Sequence, residues 1–454
     1  MYFYMLLRQW RARLNLALPL IFTHILGTSL GFVDTLVAGT ISTQSLAALA
    51  AANGLFWAVI CIFEGLLNGI DTYVARAYGA QDFPRMDRLL GRGVWLALAA
   101  SLVTVIVVVA LGNLYVLIDI DPAVLELVWS YLWWILPSAP FILLNTLFQK
   151  YWQAQGWVRP FTVLMLILNM LNFCFDYGFA HGIVVPALGV DGIALSTVVC
   201  RLLAFGFCLW LSVHLWGRSA RQRLSTMGLF KWRSTQSRAE LYELWRFGLP
   251  CLGHYTVDIA VFNGLTVVAS VFGIISLASH QLLFMLLCVV LMVPIGIAHA
   301  SSIEIGHSLG RGNTQAALHL AKAYSRATFI ILMSITFGLY CTAPWLAGLL
   351  SADHNVVFAM VPLIQLLAFI QFIDGMQMLY VYILRAFGCV KPIFHGSVLG
   401  HYAVGVPISL WCGFGLRLGV YGLWLGIAAA LSFIWLWNYM TWRRQIVFRD
   451  VSIP

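Results

Sequence analysis

Five carboxyl groups sit at positions where a carboxyl group is costly. Asp34, Glu64, Asp176, Asp258 and Asp374 each lie well inside a long apolar run. A charged side chain at mid-bilayer costs about 2.5–3.5 kcal/mol on insertion scales, so such residues face a cavity, a partner or an ion. One basic residue, Arg201, shares that environment and is expected to pair with a buried acid, Asp176 being the candidate. A single arginine cannot neutralise five acids, and desolvation disfavours the charged form of a carboxyl. Some of the five must be protonated or hold cations, which is the physical requirement of a cation-coupled carrier.

The neighbours of these acids extend that chemistry. Gln371, Asp374 and Gln377 are spaced i, i+3, i+6, broadly one polar stripe of a helix. A carboxylate flanked by amide oxygens supplies the oxygen ligands that a hard alkali cation prefers. Asn169, Asn172 and Asp176 form a second stripe, and Glu64, Asn68 and Asp71 a third at i, i+4, i+7. His24, His254, His280, His299 and His401 are scattered and read as packing or hydrogen-bonding residues. The nine cysteines form no CxxC pair and read as small apolar residues, so neither a disulfide framework nor a zinc site is expected. The chain contains no HExxH, GxSxG or Walker loop. It is therefore not expected to be an enzyme, to use ATP or to need a cofactor.

The elements that position these residues follow from composition. Of 454 residues 61% are hydrophobic and 9% charged, with a mean hydropathy of +0.89. Soluble domains carry about 25% charged residues, so the chain is an all-α polytopic membrane protein. Twelve apolar runs have the length of roughly 20 residues that a bilayer core of about 30 Å requires. They cover 14–38, 46–75, 93–118, 127–148, 161–180, 192–216, 247–271, 277–303, 328–350, 356–384, 392–412 and 419–442. Barrel strands would be shorter and strictly alternating. With the N-terminus placed in the cytoplasm, all Lys and Arg except Arg201 and Arg417, 24 of the 26, fall in cytoplasmic segments. The positive-inside rule then sets both termini in the cytoplasm. The net charge of +9 belongs to the membrane surface and not to a nucleic acid.

An internal repeat organises the runs. The longest polar interval, 217–243, separates six from six, giving an N-lobe over 1–216, a basic cytoplasmic linker and a C-lobe over 244–454. Pro19 recurs as Pro250 and Gly79 as Gly310, each 231 residues on. Gly156 and Pro160 recur as Gly388 and Pro392, 232 on, and Gly189 and Gly192 as Gly419 and Gly422, 230 on. Six is even, so the copies enter the membrane alike and relate by a pseudo-twofold axis along its normal, a plan of secondary transporters. Asp34 lies 15 residues after Pro19 and Asp258 lies 8 after Pro250. The difference of two turns puts both acids on one face of equivalent helices, at different depths.

The chain resembles the multidrug and toxic compound extrusion (MATE) family, its NorM-type bacterial branch in particular. The segments that carry this are Leu18-Pro19 followed by Gly31-Phe-Val-Asp-Thr-Leu-Val-Ala-Gly39, Arg246-Phe-Gly-Leu-Pro250 followed by Asp258, Gln371-Phe-Ile-Asp-Gly-Met-Gln377, and Ile305-Gly-His-Ser-Leu-Gly310. The resemblance spans essentially the full length. It implies a two-lobed, V-shaped exporter of the bacterial inner membrane that expels cationic and amphipathic compounds in exchange for Na⁺ or H⁺, and a chain working as a monomer in the lipid bilayer. By resemblance Asp34 belongs to an N-lobe proton or cation site, and Asp258 with Asp374 to a C-lobe cation site that could hold Na⁺. Two features depart from the NorM pattern. Asp258 stands where that branch carries Glu, and Asn172 with Asp176 is similar to the DinF-type branch. Glu64 matches no family motif. The alternative reading is a lipid-linked saccharide flippase of the same wider superfamily, which would be expected to show a cationic cavity where these candidates are acidic.

Overall fold

The computed structural model describes residues 2–117, 121–183, 186–228, 235–350 and 353–444. Within them the chain is helical throughout and contains twelve segments long and apolar enough to cross a membrane. In hydrocarbon every backbone N–H and C=O needs an internal partner, and a helix supplies one within the segment itself. In chain order the helices are α1 Tyr2–Ile41, α2 Thr43–Leu66, α3 Asn68–Gly79 and α4 Phe83–Gly112. Next come α5 Pro122–Ile135, α6 Ala139–Gln153, α7 Arg159–Ala180 and α8 Val190–Trp216. The remainder are α9 Ala220–Met227, α10 Thr235–Val271, α11 Ile274–Gly310, α12 Thr314–Leu350, α13 His354–Ala386, α14 Lys391–Val398, α15 Val406–Leu410 and α16 Gly419–Trp442. Helices α2 and α3 make one span, α5 and α6 another, and α14 with α15 a third.

Several helices outrun the apolar runs. α11 and α12 have 37 residues each, about 55 Å at 1.5 Å per residue, so their ends reach past the hydrocarbon. The turns between spans are set by local chemistry. Asp82, Asp121 and Asp353 accept from the backbone N–H of Arg85, Ala123 and Asn355 at the starts of α4, α5 and α13, which satisfies orphan donors of the first turn. Those three acids are structural. The predicted third run reaches residue 118, whereas α4 stops at Gly112 and a tighter 3₁₀ turn follows over Asn113–Leu117; residue 118 lies outside the described residues.

The duplicated landmarks share backbone geometry as well as spacing. Gly156 and Gly388 have φ of 89° and 79°, and Gly189 and Gly419 have 60° and 57°, all left-handed conformations that glycine adopts at no steric cost. A Cβ on Gly192 would stand 2.7 Å from the Phe179 carbonyl carbon, and one on Gly422 2.5 Å from that of Cys412. In both repeats the sixth helix touches the fifth through a glycine.

The chain divides into two compact units, Ile25–Leu252 and Met1–His24 with Gly253–Pro454. The divisions fall inside α1 and inside α10, a few residues past Pro19 and Pro250, and not within the polar interval. The described residues of the interval read as a linker, 217–228 and 235–243, belong to the unit of Ile25–Leu252. α9 packs on α4: Arg92 donates to the carbonyl of Gly228 at 2.7 Å, and Arg223 lies 3.4 Å from Asp87, which accepts from the Tyr151 hydroxyl. The start of α10 is held to α4 by Arg88–Glu240 at 2.7 Å and Arg85–Glu243 at 3.1 Å. Lys231, Arg233 and Arg449 lie outside the described residues.

Candidate functional site

The first helix of each repeat places an acid against the fifth. In the unit of Ile25–Leu252, Asp34 on α1 is buried and faces Asn172 and Asp176, one turn apart on α7. The Asn172 amide donates to Asp176 Oδ1 at 3.2 Å and lies 3.4 Å from the Ser196 hydroxyl of α8. The carboxyls of Asp34 and Asp176 meet, and two carboxyls in contact need a proton or a cation between them. Asp34 Oδ1, Asp176 Oδ2 and Asn172 Oδ1 are buried with no hydrogen-bond partner among the described residues. A narrow cavity with room for about one water molecule opens beside them, lined by Asp34, Asn172, Thr197, Arg201, Leu30 and Trp57.

Arg201 is the local counter-charge. Its guanidinium stacks 5.1 Å over the Trp57 ring, and its electrostatic neighbours are Glu64 and Asp34. The expected pairing with Asp176 is not formed: the guanidinium lies over Trp57 of α2, within electrostatic reach of Glu64 and Asp34 and without an ion-pair contact to either. Glu64 accepts from Thr146 on α6 at 2.7 Å. One turn along both helices, Lys150 meets Asn68 at 2.9 Å and Asp71 at 2.8 Å. The second-span stripe is therefore matched by Thr146 and Lys150 of α6, and Lys150 is partly buried instead of standing free at the membrane surface. The third residue of the fifth-span stripe, Asn169, points elsewhere: it donates to the Leu26 carbonyl and accepts from Ser29.

In the unit containing Gly253–Pro454, the carboxylate of Asp258 on α10 has a hydroxyl and two imidazoles close by. The Ser397 hydroxyl donates to it at 2.7 Å, His401 Nε2 lies 3.2 Å away and His254 Nδ1 3.2 Å. His401 stands on a π-helical stretch, Leu399–Gly405, between α14 and α15; such widened turns re-aim side chains and recur at functional sites. Asp374 on α13 is buried within electrostatic reach of Asp258 and His401. Gln371 and Gln377 are buried beside it on the same helix. The Gln371 amide nitrogen donates to the Leu287 carbonyl at 2.9 Å, while the amide oxygens of both glutamines have no hydrogen-bond partner among the described residues. Those oxygens with the Asp374 carboxylate are the donor set a hard cation would use. No group of three or more His, Cys, Asp and Glu among the described residues is arranged to hold a metal ion.

Sequence reasoning missed His254, His401, Ser397, Ser196 and Arg385. The i, i+4 spacing of His254 and Asp258 is visible in the sequence; the approach of His401 and Ser397 is not. Arg385, assigned to a cytoplasmic segment, is buried at the end of α13 with its guanidinium over Tyr255 and Tyr382 at 5.6 and 5.3 Å. His24, His280 and His299 do pack as expected, His24 and His299 with ring centroids 5.8 Å apart and His280 3.0 Å from the Thr266 hydroxyl.

The repeat relates the two clusters. His401 lies 232 residues after Asn169, and Asp258 lies 231 after Gly27. Asp34 stands 7 residues beyond Gly27 on α1, and Asp176 stands 7 beyond Asn169 on α7. The acid pair of one unit is displaced two turns along both helices from the place its counterpart occupies in the other.

Residues 19–178 and 250–411 match the sequence profile of the MatE family. The chain is 29% identical to the probable multidrug resistance protein NorM of Pseudomonas putida, over 93% of this chain and 91% of that protein. It is 27% identical to the multidrug resistance protein NorM of Aliivibrio fischeri, over 92% and 91%. The crystal structure of the eukaryotic MATE transporter AtDTX14 superposes with a TM-score of 0.86, covering 98% of this chain and 96% of that one at 16% identity. That last likeness concerns the fold.

Proposed function

From the premise that this chain belongs to the MatE family, we propose that it is a secondary active multidrug efflux antiporter, exporting cationic and amphipathic compounds in exchange for Na⁺ or H⁺. The relatives named for multidrug resistance support export of drugs. The observation that carries the coupling is the Asp34–Asp176 contact, whose remaining buried oxygens lack donors. A proton or a cation there removes a repulsion that the fold otherwise has to bear. An organic cation and the coupling ion then compete for the same negative charge, and linkage makes their effects on each other reciprocal. Asp374 with the Gln371 and Gln377 amide oxygens offers a second place for a cation, with Asp258 close by. The protein works as a monomer in a bacterial inner membrane, both termini in the cytoplasm, with the coupling ion as cargo and no cofactor.

Uptake of an organic cation into everted vesicles, with a Na⁺ gradient and a pH gradient imposed separately, tests the reading. One gradient should drive accumulation several-fold above the ungraded level. No response to either gradient overturns antiport, and transport of a lipid-linked saccharide instead favours the flippase. Topology has its own test, in a chain whose native cysteines are replaced. A membrane-impermeant thiol reagent applied from outside should label Asn355→Cys and spare Ser225→Cys. The reverse pattern refutes cytoplasmic termini.

A further inference from the structure

We propose that the groove formed by α12, α13 and α16 binds one anionic phospholipid. The groove, within a single unit, encloses about 540 Å³, inside the range of about 300–1,000 Å³ typical of ligand sites. Its walls are Phe329, Ile330, Met376, Tyr380, Trp435 and Tyr439, with Ser325 and Arg326 at one end.

Polar and apolar features are laid out along it in the order of a phospholipid. Lys322 and Arg326, one turn apart on α12, are both exposed. Arg443, exposed at the end of α16, stacks 5.9 Å over the Tyr439 ring that lines the groove. Arg326 thus lines one end of the groove and Arg443 stands on a ring of its wall, with Lys322 one turn further along α12. Beyond Arg326 the exposed stripe of α12 is dominated by apolar side chains: Phe329, Ile330, Met333 and Phe337 are 46%, 66%, 49% and 72% exposed, and the exposed Ser334 hydroxyl among them donates back to the Ile330 carbonyl. Their spacing keeps them on the same side of the helix as Arg326. The inner wall is stiff, since the Tyr380 ring lies 5.4 Å from Tyr439 and 5.5 Å from Trp442. A concave aromatic wall with a fixed cationic mouth differs from a plain lipid-facing helix surface, which offers neither shape nor charge.

Charge decides between occupants. An organic cation would gain from the aromatic rings but meet Arg326 and Arg443. A zwitterionic lipid fits the groove but carries no net charge for the arginines. An anionic headgroup satisfies the mouth while its acyl chains follow the apolar stripe, the pattern of basic pockets between membrane helices. The inference does not depend on what the protein transports.

Native mass spectrometry of the full chain, titrated with phosphatidylglycerol and with phosphatidylcholine of the same acyl chains, tests it. One phosphatidylglycerol should be retained about five-fold more readily than phosphatidylcholine, the effect of a single basic residue beside an anionic lipid. Arg326→Gln should lower the preference to about two-fold or less, and Arg326→Lys, which keeps the charge but not the forked geometry, should keep most of it. Arg159→Gln, an exposed basic residue of the other unit, should leave it unchanged. A diazirine-bearing phosphatidylglycerol in nanodiscs should label α12 near Phe329 and α16 near Tyr439. Equal retention of the two lipids, an equal loss in Arg159→Gln, labelling spread over other helices, or displacement of the lipid by tetraphenylphosphonium would each overturn the site.

Discussion

In one unit the first and fifth helices of a repeat meet at Asp34, Asn172 and Asp176; in the other the equivalent pair meet at Asp258, Ser397 and His401. The scaffold is the same and the electrostatics are opposed. Asp258 is surrounded by a hydroxyl and two imidazoles, groups that stabilise a carboxylate where it stands. Asp34 faces another carboxyl and an amide, with three buried oxygens left without donors. The protein supplies close polar neighbours to one cluster, while the other keeps buried acceptors to which it supplies no donor. In the unit of Asp258, the unsatisfied acceptors have moved to α13, where the Gln371 and Gln377 amide oxygens flank Asp374. A duplicated fold can thus keep its backbone contacts and relocate its charge by two helical turns.

The largest effect is expected at Asp374. Asp374→Asn keeps shape and burial but removes the charge a cation would need, and should reduce gradient-driven efflux to background with normal amounts of folded protein in the membrane. Full coupled transport by that variant would take the α13 acid out of the comparison.

Next in size is the pH response of drug binding. Protonation of the Asp34–Asp176 cluster removes the negative charge that attracts a cationic drug, so affinity should fall as pH falls, by about 5- to 150-fold if the coupling is of ordinary strength. Asp34→Asn should flatten the profile. If wild type and Asp34→Asn show the same pH dependence in detergent, the cluster is a static hydrogen-bonded network joining α1 to α7, and the contrast between the units is one of packing.

A third test bears on whether the Asp258 ring is stabilising. His401→Leu leaves the half-buried carboxylate with one polar neighbour fewer, which should cost about 1 kcal/mol, read as a lower midpoint in thermal unfolding. A midpoint equal to that of wild type would show that Ser397 and His254 suffice.

The smallest differences are expected between equivalent glycines. Gly192→Ala and Gly422→Ala each force a Cβ against the backbone of the preceding helix, and each should cost about 1–3 kcal/mol. Matching losses would extend the equivalence of the repeats to their energetics. A loss confined to one repeat would show that the two have diverged in packing as well as in charge.

Much of this protein is legible without coordinates, for reasons specific to membranes. Lipid forces backbone pairing within each segment, so twelve apolar runs become twelve spans. The cost of buried charge makes Asp34, Asp176, Asp258 and Asp374 stand out against their surroundings. Glycines of fixed conformation, such as Gly156 and Gly388, mark the repeat because only that residue adopts their backbone freely. Tertiary structure alone decided the partners. His401 reaches Asp258 through a π-helical stretch that no hydrophobic period announces. Arg201 lies over Trp57 and makes no ion pair with Asp176, because α8 packs it against α2. Lys150 ends up partly buried and Arg385 buried because α6 and α13 carry them inward against Asp71 and the rings of Tyr255 and Tyr382. A sequence records which groups are too costly to leave alone in lipid; only the packing of helices distant in sequence determines which group meets each of them.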